Sequence, residues 1–214
     1  MSDADREAEA AIVALLETER PDDGVLGEEG AAREGASGRR WVIDPLDGTT
    51  NFLYGIPFWS VSIALEDQEG SLVAVVDCPI LGEHCVAERG RGCERNGDPV
   101  TVSDQSVLER ALIGTGFQYR REVRERQARV LERVLPRVAN MRRLGSAALD
   151  LAWVAGGRLD GFFEIGLNRW DWLAGALLVT EAGGVVSPIE SDPPGVVAAG
   201  PALAGTLAAL VAED

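Results

Sequence analysis

A short polar run directly after a predicted buried strand restricts the fold of this chain more than any other part of its sequence. Residues 41–43, Trp-Val-Ile, predict the strand, and residues 44–50, Asp-Pro-Leu-Asp-Gly-Thr-Thr, follow it. Because Pro45 keeps the residue before it out of the α region, we expect an extended chain up to Asp44 and a turn after it. Such a turn brings the carboxylates of Asp44 and Asp47 towards one side of the chain.

The end of this run predicts a helix start beside the two carboxylates. Gly48 permits a close approach of the backbone, and Thr49 and Thr50 predict the first helical turn, whose free N–H groups can bind a phosphate without any lysine. Mg²⁺ prefers carboxylate oxygens, and a pair of such ions can hold a water and a leaving oxygen together. An Asx turn followed by a capped helix explains the same residues, so the run alone leaves both interpretations open.

Two further acidic segments stand near apolar residues. Glu28 and Glu29 follow Gly27 in a segment rich in glycine and charge, and Asp171 begins a predicted helix between two tryptophans. As a helix N-cap, Asp171 would need no other role. Asp5 stands in the first turn of another predicted helix, where a carboxylate also serves as a cap.

Composition excludes several classes of function. The 214 residues include 35 acidic and 20 basic side chains, which gives a net charge of −15, and every basic residue is arginine. This excludes lysine chemistry and argues against nucleic acid or an anionic membrane as a partner. No transmembrane helix or secretory signal is expected. Three cysteines form no disulfide framework, which favours reduced thiols and a cytoplasmic location.

The hydrophobic pattern changes along the chain. Alternating residues between 58 and 102, with a turn signal at Asn96-Gly97, predict an antiparallel meander, whereas helices and strands alternate in the second half. The segment 22–40 is predicted as loop, and a soft boundary lies near 104–110. The predicted helices are 6–19, 121–138, 146–155, 171–182 and 201–211, and the predicted strands include 41–43, 61–65, 72–76, 83–88, 100–102, 111–115, 159–165 and 196–199.

Two long motifs resemble the signatures of the inositol monophosphatase family. Residues 41–52, WVIDPLDGTTNF, resemble the first signature, and residues 170–184, from Trp-Asp-Trp-Leu-Ala-Gly to Glu-Ala-Gly-Gly, resemble the second. Residues 27–29 match the acidic loop before the first signature, and residues 145–147 match a segment between the two. The motifs occur in the family's order, and the resemblance covers nearly the whole chain.

The resemblance implies an α/β fold of layered type, the sugar-phosphatase fold. It has an antiparallel-sheet N-terminal lobe and a mixed-sheet C-terminal lobe, here about 1–105 and 106–214 of a single domain 1–214, with the site between the lobes. It also implies two or three Mg²⁺ ions. The implied ligands are Glu28, Asp44 and the carbonyl of Leu46 for the first ion, Asp44, Asp47 and Asp171 for the second, and Glu28 again for a weaker third.

The resemblance further implies a substrate site and a catalytic pair. Thr49, paired with Asp5, would help to deprotonate a metal-bound water. Glu28 and Asp47 would share in catalysis through the ions. Asp171 would also contact the substrate. The phosphate would bind to Gly48 and Thr49, and the alcohol portion would contact Gly145, Ser146, Ala147 and Glu164.

The residues themselves leave several of these roles open. Asp5 could be only a helix cap, and Glu29 could lie behind the ligands or be only solvated. Glu164 lies among aromatic residues in the segment 162–165, where a charge is costly unless it is paired or at a rim. That cost favours a functional role for Glu164.

The expected activity is Mg²⁺-dependent hydrolysis of a phosphate monoester, most simply inositol monophosphate, with inhibition by Li⁺. Histidinol phosphate and fructose 1,6-bisphosphate are alternative substrates, and 3′-phosphoadenosine 5′-phosphate ranks below them. The family usually has a further helix and hairpin before the position where this sequence begins, so we also consider a truncated, inactive relative that acts as a binding or regulatory subunit. A homodimer is the family expectation.

Overall fold

Alternating apolar residues build the larger of two β-sheets. The computed structural model describes residues 2–212. The larger sheet has eight strands in the order β2-β1-β3-β4-β5-β6-β7-β8. These strands are β1 (Gly24–Gly27), β2 (Ala32–Arg33), β3 (Arg40–Asp47), β4 (Ser60–Asp67), β5 (Gly70–Cys78), β6 (Glu83–Glu88), β7 (Gly92–Arg95) and β8 (Asp98–Pro99).

The larger sheet is antiparallel except at one pairing. Strand β1 pairs with β3 in parallel, with Val25 opposite Trp41, and the remaining neighbours are antiparallel. The segment 22–40 was predicted as loop, and this was wrong in part, because the segment contains β1 and β2. The predicted strand at 100–102 was also wrong. Val102 instead donates its N–H to the carbonyl of Ala182, outside the sheet.

The smaller sheet is mixed, as predicted for the second half of the chain. Its order is β10-β9-β11-β13-β12, in which β9 runs parallel to β10 and β11, while β13 is antiparallel to β11 and β12. The edge strands β10 and β12 were not predicted, since β10 is short and β12 contains Pro188. These strands are β9 (Leu112–Thr115), β10 (Asn140–Arg142), β11 (Gly161–Ile165), β12 (Val185–Ile189) and β13 (Gly195–Ala199).

Two apolar helices lie between the sheets and form a common core with them. The largest buried cluster joins Val76 of the larger sheet, Leu149 and Leu178 of the two helices, and Phe162 of the smaller sheet. This layering confirms the predicted α/β fold. The two central helices are α4 and α5. The helices are α1 (Asp3–Glu19), α2 (Thr49–Leu53), α3 (Arg121–Val134), α4 (Ala147–Ala155), α5 (Arg169–Glu181) and α6 (Pro201–Ala212). None of the helices within 2–212 is long and apolar enough to cross a membrane.

Capping residues set helix ends that differ from the predicted ones. Helix α1 begins at Asp3 because Ser2 caps it, and α5 begins at Arg169 with Asn168 as its N-cap, so Asp171 is the third helical residue. Helix α3 gives way to a 3₁₀ turn that contains Pro136, a residue without an N–H to donate. The strands of the two sheets come from opposite sides of the predicted boundary near 104–110, and the division into lobes stays a prediction.

Two helical glycines predict opposite effects of the same substitution. A Cβ atom at Gly175 in α5 would lie 2.5 Å from Cβ of Leu151 in α4, whereas a Cβ at Gly205 in α6 meets no atom within 4 Å. We expect Gly175→Ala to lower the free energy of unfolding by about 1–3 kcal/mol through overpacking. Gly205→Ala should raise it by about 0.5–1 kcal/mol, because alanine loses less backbone entropy. Urea denaturation of both variants tests this, and a stabilised Gly175→Ala variant would contradict the close packing of α4 on α5.

Candidate active site

One cavity of about 120 Å³ gathers the residues singled out by the sequence. It lies where the end of β3 meets α2, the loop after β9, and the first turns of α4 and α5. All predicted site residues except Asp5 and Ser146 line it. The lining comprises Glu28, Asp44, Leu46, Asp47, Gly48, Thr49, Gly145, Ala147, Glu164 and Asp171, together with Gly116, Phe117, Gln118, Tyr119, Arg143 and Leu167.

The two carboxylates of the first motif lie on either side of an irregularity in β3. The sequence predicted that the strand ends at Asp44, but β3 continues to Asp47. Its register against β4 shifts between these two residues. Asp44 is 2% exposed, and its Oδ1 accepts the N–H of Leu46 at 2.9 Å. The shift replaces the predicted turn and allows both carboxylates to face the cavity.

Asp47 is held by a helix start from a distant part of the chain. Its Oδ2 accepts the hydroxyl of Ser146 and the N–H of Ala148, each at 2.7 Å, at the start of α4. Ser146 is fully buried and lies 3.1 Å from the hydroxyl of Ser60, so it does not line the cavity. The Ser146 hydroxyl thus bonds to Asp47, and Gly145 and Ala147 on either side of it line the cavity while Ser146 does not.

Burial and mutual repulsion raise the pKa values of the acidic groups. Burial is the main cause for Asp44, whose pKa lies well above its usual range, and Asp47 and Glu28 raise it further. Burial raises the pKa of Asp47 to about 6 and that of Asp171 to about 8. Burial also raises the pKa of Glu28, although a hydrogen bond shared with Asp44 opposes it. A shared proton or a cation would relieve this concentration of negative charge.

Cationic groups near these carboxylates are few. Arg143 is the sole cationic side chain lining the cavity among residues 2–212, and its charge lowers the pKa of Asp47 against the larger effect of burial. Over the same residues, no three or more His, Cys, Asp and Glu side chains have the arrangement of a formed metal site. The carboxylates thus line one cavity, but three or more of them are not positioned to coordinate a single ion.

Thr49 and Asp5 form a hydrogen-bonded pair across the chain. The Thr49 hydroxyl lies 3.0 Å from Oδ1 of Asp5 and 3.1 Å from the carbonyl oxygen of Leu46, so its proton can bond to either one. Asp5 is fully buried and also accepts the N–H of Ser2 as part of the cap of α1. Burial opposes ionisation of Asp5, but bonds from Ser2 and Thr49 outweigh it and lower the pKa. Asp5 is therefore a helix cap and an ionised partner of Thr49 at once.

Two glycines that line the cavity allow neighbouring segments to approach closely. Gly48 has a φ of 94° and Gly145 a φ of 99°, which favour glycine. A Cβ atom at Gly48 would lie 3.1 Å from the carbonyl oxygen of Gly145, and one at Gly145 would lie 2.8 Å from Nδ2 of Asn51. Asn51, whose role the sequence did not suggest, donates to the carbonyls of Phe58 at 2.6 Å and Leu144 at 2.7 Å. It thereby links α2 to the segment before α4.

Glu164 and Asp171 enter the cavity from the smaller sheet and α5. Space for Glu164 depends on Gly116, where a Cβ atom would lie 2.0 Å from Oε2 of Glu164. Asp171 accepts the N–H of Asn168 at 2.6 Å, so it caps α5 while its carboxylate faces the other acids. Residues 116–119 also line the cavity, but glycine, phenylalanine, glutamine and tyrosine form no recognisable motif there, so the sequence does not predict this wall.

A stability measurement can test the electrostatics of Glu164. Burial, followed by the charges of Asp47 and Asp171, raises the pKa of Glu164 to about 8. Its folded pKa exceeds the unfolded value, so the folded state binds the proton more tightly and loses stability as pH rises from about 4.5 to about 8. We expect Glu164→Gln to match the wild-type melting temperature in metal-free buffer near pH 4.5 and to exceed it by several degrees at pH 8.5. An equal difference at both pH values would contradict this environment.

Comparison with known proteins identifies the family. A sequence model described as the inositol monophosphatase family matches residues 1–214. The chain belongs to the inositol monophosphatase family. This membership confirms the resemblance of the two motifs and supports phosphatase activity.

Individual relatives carry two kinds of name. The chain is 47% identical over 192 residues to an inositol-1-monophosphatase of Mesorhizobium japonicum. The aligned region covers 89% of this chain and 72% of that relative. It is 46% identical over 193 residues to Nus factor SuhB of Pseudomonas aeruginosa, which covers 87% of the chain and 71% of the relative. A crystal structure of the extragenic suppressor protein suhB from Bartonella henselae superposes with a TM-score of 0.94 at 41% identity, covering 99% of this chain and 84% of that one.

Proposed function

We propose that this family member hydrolyses a phosphate monoester with the aid of Mg²⁺, most simply inositol monophosphate. The observation that carries the proposal is the convergence of Glu28, Asp44, Asp47 and Asp171 on one cavity, with the Asp5–Thr49 pair at its edge. Three separate stretches of sequence contribute these groups. An Asx turn followed by a capped helix would explain Asp44 and Asp47, but it would not require Glu28 and Asp171 at the same cavity.

The residues present fit a site for hard divalent cations. The donors are carboxylate oxygens and the carbonyl of Leu46, which Mg²⁺ prefers. Burial and the neighbouring acids raise the pKa values of Glu28 and Asp44, and a bound cation would favour their charged forms. We infer that Glu28, Asp44 and Leu46 would hold one ion, Asp44, Asp47 and Asp171 a second, and Glu28 a third. Bound Mg²⁺ supplies Lewis acidity for phosphate oxygens and makes a water more acidic.

The chain's own groups would orient the reaction. In hydrolysis a water oxygen forms a bond to phosphorus, the ester oxygen–phosphorus bond breaks, and the alcohol leaves with a proton. The Thr49 hydroxyl can donate to ionised Asp5 while its lone pairs accept the proton of the attacking water. The backbone N–H groups of Gly48 and Thr49, at the start of α2, would bind the phosphate oxygens. Positioning and charge stabilisation then account for most of the rate.

The opposite wall of the cavity would contact the alcohol portion of the substrate. Gly145 and Ala147 offer backbone groups there, and Glu164 and Asp171 can accept hydrogen bonds from hydroxyl groups. Ser146 would act through Asp47 and not touch the substrate. Polyol phosphates fit this set of acceptors, and histidinol phosphate and fructose 1,6-bisphosphate are further candidates for the assay.

A phosphate-release assay tests the function. We expect the purified chain to release phosphate from inositol monophosphate only when Mg²⁺ is present, and Li⁺ to inhibit the release. The assay panel would include histidinol phosphate, fructose 1,6-bisphosphate and 3′-phosphoadenosine 5′-phosphate. Release that continues undiminished in excess EDTA would overturn the metal-dependent mechanism.

A second candidate function comes from the names of the relatives. Nus factor SuhB of Pseudomonas aeruginosa and inositol-1-monophosphatase of Mesorhizobium japonicum are nearly equally similar to the chain. A binding or regulatory role is therefore the alternative to catalysis. Mg²⁺ binding without release of phosphate from any substrate of the panel would favour that role.

Assembly and location complete the proposal. We expect a homodimer, which sedimentation equilibrium would test. Cys78, Cys85 and Cys93 are free and buried, and burial raises the pKa of Cys85 to about 11 and that of Cys93 to about 12. Unreactive, reduced thiols of this kind suit a cytoplasmic protein.

A further inference from the structure

A buried glutamate joins α1 to the acidic loop between β1 and β2. Glu9 is 5% exposed, although it is one of the charged residues that rarely lie inside a protein. Its Oε2 accepts the N–H of Glu29 and its Oε1 accepts the N–H of Ala31, each at 2.9 Å. Both carboxylate oxygens are therefore bonded to the backbone of the loop that carries Glu28.

The local sequence leaves space for this contact. A Cβ atom at Gly27 would lie 2.1 Å from Oε2 of Glu9, so a larger residue at this position would displace the carboxylate. Gly27 in turn donates its N–H to the carbonyl of Ala31 at 2.7 Å, and the N–H of Glu28 bonds to Ile43 at 3.1 Å. The loop is thus fixed on one side by β3 and on the other by Glu9.

Helix α1 carries two carboxylates on its buried face. Asp5 and Glu9 are four residues apart, so they lie on the same side of the helix one turn from each other. Asp5 bonds to Thr49, while Glu9 bonds to the acidic loop. Leu16 of α1 packs with Val25 of β1 and Ile43 of β3, which holds the helix against both strands.

We propose that Glu9 is a positioning residue that sets the affinity of the site for Mg²⁺ by fixing the backbone beside Glu28. The inference rests on the proposed function. Charge-assisted bonds to two N–H groups restrict the loop, so Glu28 loses little conformational freedom when it binds an ion. Groups that orient metal ligands in this way typically change metal affinity about 10- to 100-fold when they are removed.

A set of three variants distinguishes positioning from charge. Glu9→Asp keeps the charge but is too short by one methylene to reach both N–H groups from α1. Glu9→Gln keeps the length but can accept only one of the two bonds with its single oxygen. Glu7→Gln is the matched control, because it removes the same charge from an exposed position of the same helix.

Mg²⁺ titration calorimetry and hydrogen exchange provide the measurements. We expect both Glu9 variants to bind Mg²⁺ about 10- to 100-fold more weakly than the wild-type chain. The N–H groups of Glu29 and Ala31 should exchange faster, and turnover at saturating Mg²⁺ should stay close to the wild-type value. Glu7→Gln should leave all of these quantities unchanged.

Other results would overturn the proposal. Wild-type Mg²⁺ affinity in Glu9→Asp would show that only the charge matters, and lower turnover with unchanged affinity would place Glu9 in another role. Should the Glu9 variants fail to fold, Gly27→Ala tests the same contact from the loop side and should weaken Mg²⁺ binding equally. If the wild-type chain binds no Mg²⁺, the proposed function fails together with this inference, whereas a failure confined to the variants affects Glu9 alone.

Discussion

Asp47→Asn should lower kcat by about a thousandfold at saturating Mg²⁺ while the fold survives. A metal's charge stabilisation is worth several kcal/mol, and about 4 kcal/mol corresponds to a thousandfold in rate. The asparagine can still accept the hydroxyl of Ser146 and the N–H of Ala148 with its one oxygen, so the start of α4 should remain in place. Phosphate release, together with the melting temperature, measures both effects.

A surface carboxylate provides the control for this loss. Asp77 lies on β5 and contacts His84 at 2.9 Å, away from the cavity, so Asp77→Asn should retain full activity. Calorimetry should show weaker Mg²⁺ binding in Asp47→Asn and none of that weakening in Asp77→Asn. Undiminished turnover of Asp47→Asn would defeat the assignment of the site.

Local pattern was enough to predict much of the candidate site. Pro45 and Gly48 constrain the backbone within a few residues, and the strand before them is recognisable from its apolar residues. Family resemblance then joined Glu28 and Asp171 to the same site, although they lie far from Asp44 in the sequence. The structure brings these residues to one cavity, while their roles as ligands stay a prediction.

Contacts between distant segments could not be predicted in the same way. The parallel pairing of β1 with β3 depends on tertiary packing, since residues 22–40 have the composition of a loop. The bond between Asp47 and Ser146 at the start of α4 joins residues 99 positions apart. The bond between Glu9 and Glu29 in the acidic loop joins residues 20 positions apart. Ser146 and Glu9 carry no local signal of these roles, because a serine before a helix and a glutamate within one are both common.

Thr49→Val should lower kcat by about 10²- to 10⁴-fold and leave the affinity for Mg²⁺ close to the wild-type value. Valine has nearly the shape of threonine but cannot bond to Asp5 or Leu46, so the variant removes the proton acceptor without removing a proposed ligand. Thr49→Ser keeps the hydroxyl and should retain most of the activity. Phosphate release and Mg²⁺ calorimetry measure the two effects separately.

The neighbouring threonine shows whether the hydroxyl of Thr49 itself is required. Thr50 is exposed, and its hydroxyl lies 3.0 Å from that of Tyr119 at the mouth of the cavity, so Thr50→Val should change kcat little. If Thr49→Val kept wild-type turnover, the Asp5–Thr49 pair would be only a link between α1 and α2. If Thr49→Val instead lost Mg²⁺ binding to the same extent as Asp47→Asn, Thr49 would act by holding the carbonyl of Leu46 in place and not by accepting a proton.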